Sequence, residues 1–200
     1  MPVRPATRRD IPVMAHVVAA SFGPDRLYQV MFPRMNEYWA DYEAALRDHL
    51  WLTWYDYRKV LTHKKQRITG VAEWERAGPG WEKAVYGLWG GRWDPRLLWN
   101  FFQQVGPFAA AFFAAPHRQT HWALETLAVL PGEQGKGYGR DLVLEGLERA
   151  STDPAGDLPV SVVAADGKET FYQKVGFKEL VGWNPLKANG VGGGAVLWTK

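Results

Sequence analysis

The stretch from Trp122 to Ala150 constrains the fold more than any other part of the chain. Trp122 to Val129 reads as a strand, Pro131 to Gln134 as a turn, and glycines follow at positions 135, 137 and 139. From Gly135 to Ala150 a helix is predicted, with Gly139, Leu142, Val143, Gly146, Leu147 and Ala150 on one stripe at helical spacing. A strand that passes through a glycine turn straight into a helix needs a sheet and a second layer, because both elements have an apolar side to cover. The turn exposes several main-chain N–H groups at the positive end of a helix, a setting suited to a pyrophosphate. Its glycines let ligand oxygens approach the main chain with no Cβ in the way, and Lys136 and Arg140 add positive charge.

Three nucleotide-binding patterns compete for this turn. A Walker loop needs four residues between its first glycine and Gly-Lys-Ser/Thr; Gly132 to Gly135 leaves two, and Lys136 is followed by Gly137. A dinucleotide fingerprint beginning at Gly135 requires Gly or Ala where Arg140 stands. The third pattern, Gln-x-x-Gly-x-Gly between strand and helix, is met in full by Gln134, Gly137 and Gly139.

Elsewhere the chain alternates strands and helices, which makes the class α/β. Val3 to Thr7 reads as a first strand, and Asp10 as the N-cap of a helix carrying Ile11, Met14, Val17, Val18 and Phe22 up to Gly23-Pro24. A second helix is expected from about Asn36 to Trp51, and Lys59–Thr62 with Ile68–Trp74 form a hairpin. Residues 76–117, with Gly78-Pro79-Gly80 and Gly90-Gly91, read as an insertion holding one or two short apolar helices. Val160–Ala164, Phe177–Val181 and Ala195–Thr199 are further strands, and Lys168–Val175 is a short helix closed by Gly176.

Composition narrows the function. With no cysteine, disulfides, thiolate catalysis and Cys-based metal sites are excluded. The His residues show no metal-ligand spacing, so no metal is expected. The longest apolar run, Phe108 to Ala115, is too short for a membrane span, and the N-terminus lacks the apolar core of a signal peptide. A cytoplasmic protein is the expectation. A net charge of +3 is too small to point to nucleic acid.

His121-Trp122-Ala123-Leu124-Glu125-Thr126-Leu127-Ala128-Val129, joined to Gln134-Gly135-Lys136-Gly137-Tyr138-Gly139, resembles the acetyl-CoA-binding core of the GNAT acyltransferases. Phe171-Tyr172-Gln173-Lys174-Val175-Gly176-Phe177 is similar to the family's second signature, and Arg4-Pro5-Ala6-Thr7 with Asp10 to its usual opening. The match is strongest over residues 121–180 and looks most like members from filamentous fungi. The resemblance implies one domain over residues 1–200, with a mixed, mostly antiparallel sheet of six to seven strands flanked by helices. The insertion would precede the fourth strand. It further implies an acetyl-CoA-dependent N-acetyltransferase, monomeric or homodimeric, with neither nucleic acid nor membrane as partner. Leu127 and Val129 would pair with the pantetheine arm through their main chain. Gln134, Gly135, Lys136, Gly137, Tyr138, Gly139 and Arg140 would hold the pyrophosphate. Many members carry Asn where this chain has Ala165, so that contact is a departure from the pattern.

Direct acyl transfer needs a deprotonated amine and a proton for the departing thiolate. The resemblance gives the second task to Tyr172, whose alternative is a core tyrosine. Glu125 shares strand parity with Leu127 and Val129, which would set it beside the thioester as base; its alternative is an ion-paired strand carboxylate. His121 shares that parity but reads first as a hydrogen-bonded strand-end histidine. Trp51, Trp54, Trp74, Trp89 and Trp93 lie in segments that border the acceptor in the family, with core packing as the alternative for each. A small-molecule primary amine is the expected acceptor. The rivals are a protein or peptide acceptor, and a CoA-binding regulatory module without turnover.

Overall fold

Seven strands form one sheet in the order β1–β2–β3–β4–β5–β7–β6 in the computed structural model, which describes residues 3–55, 59–64, 67–78, 112–183 and 194–200. The strands are β1 (Val3–Pro5), β2 (Lys59–Lys64), β3 (Ile68–Ala77), β4 (His121–Val129), β5 (Val160–Val163), β6 (Glu179–Trp183) and β7 (Ala195–Trp198). Every pairing is antiparallel except β4 with β5. That single parallel pair needs a crossover, which α4 (Tyr138–Ser151) supplies. The other helices are α1 (Ile11–Phe22), α2 (Arg26–Met31), α3 (Trp39–Tyr55) and α5 (Glu169–Val175). None of the described helices is long and apolar enough to cross a membrane.

The core divides into two clusters because β3 alternates its side chains between the two faces. Ala72 and Trp74 join Trp122, Leu124, Leu142, Val143, Tyr172 and Phe177 on the α4–α5 side. Val71 and Ala128 join Ile11, Met14, Val17, Tyr42 and Leu46 on the α1–α3 side. Gly146 is dictated by this packing, since a Cβ there would collide with the indole of the buried Trp74. Burying an indole contributes roughly 4 kcal/mol by area alone. The loop after α4 is tied back to the sheet by Asp153. It accepts hydrogen bonds from Arg76 (2.9 and 3.2 Å) and from Trp122 Nε1 (3.0 Å).

Several boundaries differ from the sequence-based expectation. Asp10 does not cap α1 with its side chain. Its carboxylate instead accepts from Thr7 N and Oγ1 and from Arg4, which closes the preceding 3-10 turn at Arg8–Asp10. Arg4 is the main reason that this carboxyl titrates well below the usual range. α2, a six-residue helix, was not expected; Asp25 caps it by accepting from Leu27 N at 2.8 Å. α4 starts at Tyr138 and not at Gly135, because Gly135 and Gly137 have φ of 76° and 86°. Of the expected insertion, residues 79–111 lie outside the described residues; around them β3 runs on to Ala77, and Pro116–Arg118 forms a 3-10 turn.

Candidate functional site

β4 and β5 pair only from Trp122/Val160 to Leu124/Val162 and then part. Beyond Leu124, β4 continues to Val129 beside β3 alone, leaving its other edge without a strand among the described residues. At the parting point β4 carries a bulge. Glu73 opposes Thr126 and Trp74 opposes Leu124, so Glu125 is the extra residue. The bulge overturns the simple alternation expected for Glu125, Leu127 and Val129. Leu127 packs into the α4–α5 cluster with Trp122 and Leu124, and Ala128 faces the α1–α3 side. Glu125 is exposed where the phase changes.

Leu130 N donates to Thr69 O at 2.9 Å, so even-numbered residues after the bulge bond to β3 while Leu127 and Val129 turn their main chain outward. Leu127 therefore presents N–H and C=O to the open edge. Val129 differs. Its carbonyl accepts from Ser21 Oγ (2.9 Å) and Gln134 Nε2 (3.1 Å), and its N–H donates to Ser21 Oγ (3.2 Å). A ligand arm pairing with Val129 has to replace those side chains.

The turn leads from this edge to the start of α4. Pro131–Glu133 is a 3-10 turn, and no side chain caps α4, whose N-cap is Gly137. The first N–H groups of the helix thus lack intrahelical partners. A Cβ on Gly135 or Gly137 would meet nothing within 4 Å, so the main chain of the turn borders open space, a candidate cradle at the helix start. A Cβ on Gly139 would meet Phe171, Leu127 and Val129 at ordinary contact distance. Arg140 is exposed. Lys136 is engaged with Glu133 (2.8 Å) and Gly132 O (3.1 Å), and this partner is the main reason Glu133 titrates low. Open space beside an uncapped helix start fits a pyrophosphate.

Tyr172, on α5, is buried between Phe171 and Phe177, with ring centroids 5.0 and 5.7 Å away, and burial pushes its phenol up to about 12. His121 is also buried. Its Nδ1 lies 2.7 Å from Arg118 O, its ring packs on Phe113 and Trp198, and burial lowers its pKa. It sits at the start of β4, four residues before the bulge, in the structural role. Of the tryptophans, Trp74 is core, Trp51 is exposed and Trp54 half-buried; Trp89 and Trp93 lie outside the described residues.

Sequence reasoning missed one carboxylate. Glu73, on β3, is 1% exposed and accepts from Thr126 Oγ1 at 3.1 Å; His49 of α3 places Nε2 3.8 Å from the same oxygen. The signal was there, an acid inside the apolar run Gly70-Val71-Ala72-Glu73-Trp74. Among the described residues, no group of three or more His, Asp or Glu side chains is arranged to hold a metal ion.

Residues 105–192 match the family model of the acetyltransferase (GNAT) domain. Among solved structures, the chain is similar to a histone acetyltransferase HPA2 and related acetyltransferase from Corynebacterium glutamicum (TM-score 0.68, 24% identity, covering 98% of this chain and 94% of that one). It is also similar to the putative arylalkylamine N-acetyltransferase 7 of the yellow fever mosquito (0.61, 12%, 98% and 84%). A third likeness is to the PaiA N-acetyltransferase of Thermoplasma acidophilum, solved in complex with coenzyme A (0.56, 14%, 99% and 97%). No curated protein matches the sequence. At these identities the likeness establishes the fold, which is the GNAT fold.

Proposed function

We propose that this chain, read as one domain over residues 1–200, transfers an acetyl group from acetyl-CoA to the primary amine of a small molecule. The observation that carries the reading is the parting of β4 from β5, which leads directly into the uncapped, glycine-opened start of α4. Support comes from the GNAT domain match over residues 105–192 and from the fold shared with the coenzyme A complex of the Thermoplasma protein. The small-molecule acceptor rests on the aromatic composition of residues 76–117, and kinship with filamentous-fungal members on His121-Trp122 ahead of the glycine turn.

In this reading Gly135, Gly137 and the first N–H groups of α4 hold the pyrophosphate, and Leu127 offers the outward main chain to the pantetheine arm. Glu125, exposed at the bulge, meets the protonated amine as ion-pair partner and is the nearest candidate to take its proton. The amine nitrogen then bonds to the acetyl carbon, the C–S bond breaks, and the sulfur takes a proton from Tyr172. A phenol near 12 gives its proton to a free thiolate only uphill by several kcal/mol. Tyr172 therefore acts best as a relay, passing a proton to sulfur while receiving one from the nitrogen.

The test is calorimetry with CoA, followed by thiol release from acetyl-CoA over a panel of small amines and lysine peptides. Binding with turnover on small amines supports the reading. Binding without turnover on any amine makes the chain a CoA-binding regulatory module, and turnover confined to peptides makes it a protein acetyltransferase.

A further inference from the structure

The reading above leaves a buried acid unused. Glu73 lies on the α1–α3 side of the sheet, at the register position of Thr126, immediately after the bulged Glu125. Adjacent strands are about 4.8 Å apart, so the Glu73 carboxylate stands within roughly one strand spacing of the point where β4 leaves β5. A buried carboxylate is retained only with partners that offset its desolvation. Thr126 Oγ1 is one, at 3.1 Å, and the His49 ring is another, with Nε2 3.8 Å from Glu73 Oε2. The arrangement runs from inside to outside: Glu73 is sealed, while the His49 side chain is 44% exposed. Nε2 faces the carboxylate, which leaves Nδ1 as the nitrogen that can accept a proton from another direction. At this ion-pair distance, with no hydrogen bond between them, the carboxylate attracts the Nε2 side of the ring.

We propose that His49, oriented by Glu73, is the proton acceptor for the acceptor amine, and that Glu125 serves as the ion-pair anchor of the ammonium group. This rests on the acetyl-transfer reading and changes one step of it. Ordinary carboxylates titrate near 4.3 and imidazoles near 6.5, so an imidazole takes a proton from an ammonium on the order of 10²-fold more favourably than a carboxylate does. The ammonium gives one proton to His49 Nδ1, directly or through water, and the free amine attacks the acetyl carbon. The nitrogen's second proton reaches the departing sulfur by way of Tyr172, and the imidazolium returns its proton to solvent. In this scheme His49 is the catalytic residue and Glu73 the positioning residue.

Other groups bear on the same carboxylate. Tyr28 of α2 and Tyr42 of α3 lie on this side, and burial holds both phenols well above their ordinary range, so they stay neutral through the working pH. Asp25, at the cap of α2, is the charged group that bears on both of these phenols.

The experiment compares wild type, His49→Ala, Glu73→Gln and Glu125→Gln for thiol release with one primary amine from pH 5.5 to 9.5, alongside the Kd of CoA by calorimetry. His49→Ala is expected to lower kcat by on the order of 10²-fold at neutral pH, with the deficit shrinking as pH approaches the amine's own pKa. Added imidazole should restore part of that loss, and CoA affinity should be unchanged. Glu73→Gln should lower kcat while leaving the KM for the amine and the Kd of CoA unchanged, as expected of a positioning residue; if that variant does not fold, His49→Ala with imidazole rescue carries the test. The inference is overturned if wild type turns over but His49→Ala keeps its rate and pH profile. It is equally overturned if the acidic limb disappears in Glu125→Gln alone. A wild type that binds CoA and acetylates no amine refutes the parent reading instead.

Discussion

Replacing Gly137 with alanine separates cofactor binding from folding in a way the structure makes quantitative. Gly137 sits at φ 86° with open space where a Cβ would project. Alanine in that left-handed conformation costs about 1–2 kcal/mol. For a chain of this length that lowers Tm by about 2–8 °C and leaves the fold standing. Gly156, in the loop that follows α4, is a matched control, because it has φ 103° and equally open space. Gly156→Ala should show a comparable loss of stability. The two variants should part on ligand binding. Only at Gly137 does the new methyl group enter the cradle before the α4 N–H groups, where it keeps a phosphate oxygen from at least one of them. A hydrogen bond to a charged group is worth about 1.5–3 kcal/mol, so CoA affinity should fall by about 10- to 150-fold. Calorimetry with CoA and thermal melts of both variants provide the check. If Gly137→Ala melts lower but binds CoA as tightly as wild type and Gly156→Ala, the pyrophosphate does not sit in this turn and the argument fails.

Tyr172→Phe should lower turnover by on the order of 10²–10⁴-fold while leaving CoA affinity unchanged, measured by thiol release under conditions where chemistry limits the rate. Gly146→Ala should destabilise the chain in urea melts. Overpacking against Trp74 costs about 1–3 kcal/mol, more than the roughly 1 kcal/mol that alanine gains in a helix. Glu125→Gln should raise the KM for a cationic amine with kcat largely retained, as expected of an anchor; steady-state kinetics on a charged and a neutral amine decide. For Asp10, the folded-state pKa is depressed, so its bond to Arg4 adds stability that is complete above the unfolded value of about 3.9 and is lost as pH falls below it. Asp10→Asn should therefore be less stable than wild type at pH 6, with the gap closing towards pH 2 in denaturant titrations.

The parts of this fold that were legible in the sequence are those set by local periodicity. The stripe Leu142, Val143, Gly146 and Ala150 is buried as its spacing requires, and Gly176 closes α5 at φ 124°. Asp10 stands at the N-cap position of α1 as expected, but its side chain does not cap that helix, because Thr7-Arg8-Arg9-Asp10 is itself a capping pattern and the 3-10 turn takes the carboxylate. Six-residue α2 is too short to show a stripe at all. Glu73 stood out as an acid inside an apolar run, but its burial was not legible. An acid in a strand is usually on the solvated face, and only the α1–α3 layer over this face of β3 makes it a buried one.

The bulge at Glu125 escapes any local reading, because it is a property of the pairing between two strands 50 residues apart. Its consequence reaches furthest into function. Had the alternation run on unbroken, Glu125, Leu127 and Val129 would share one face, and acid, base and cofactor contacts would crowd the same side of β4. The extra residue shifts the phase by one. Leu127 and Val129 then turn their side chains to Gly139 and α4, where the cofactor cradle begins, and Thr126 turns to Glu73 and His49. Tyr172 lies in the α4–α5 cluster and His49 beside the opposite face. The group that would give a proton to sulfur and the group that would take one from the amine thus stand on opposite sides of a single strand, and neither can discharge the other directly. The inserted residue decides which side of β4 meets each of them, Thr126 towards Glu73 and Leu127 and Val129 towards α4.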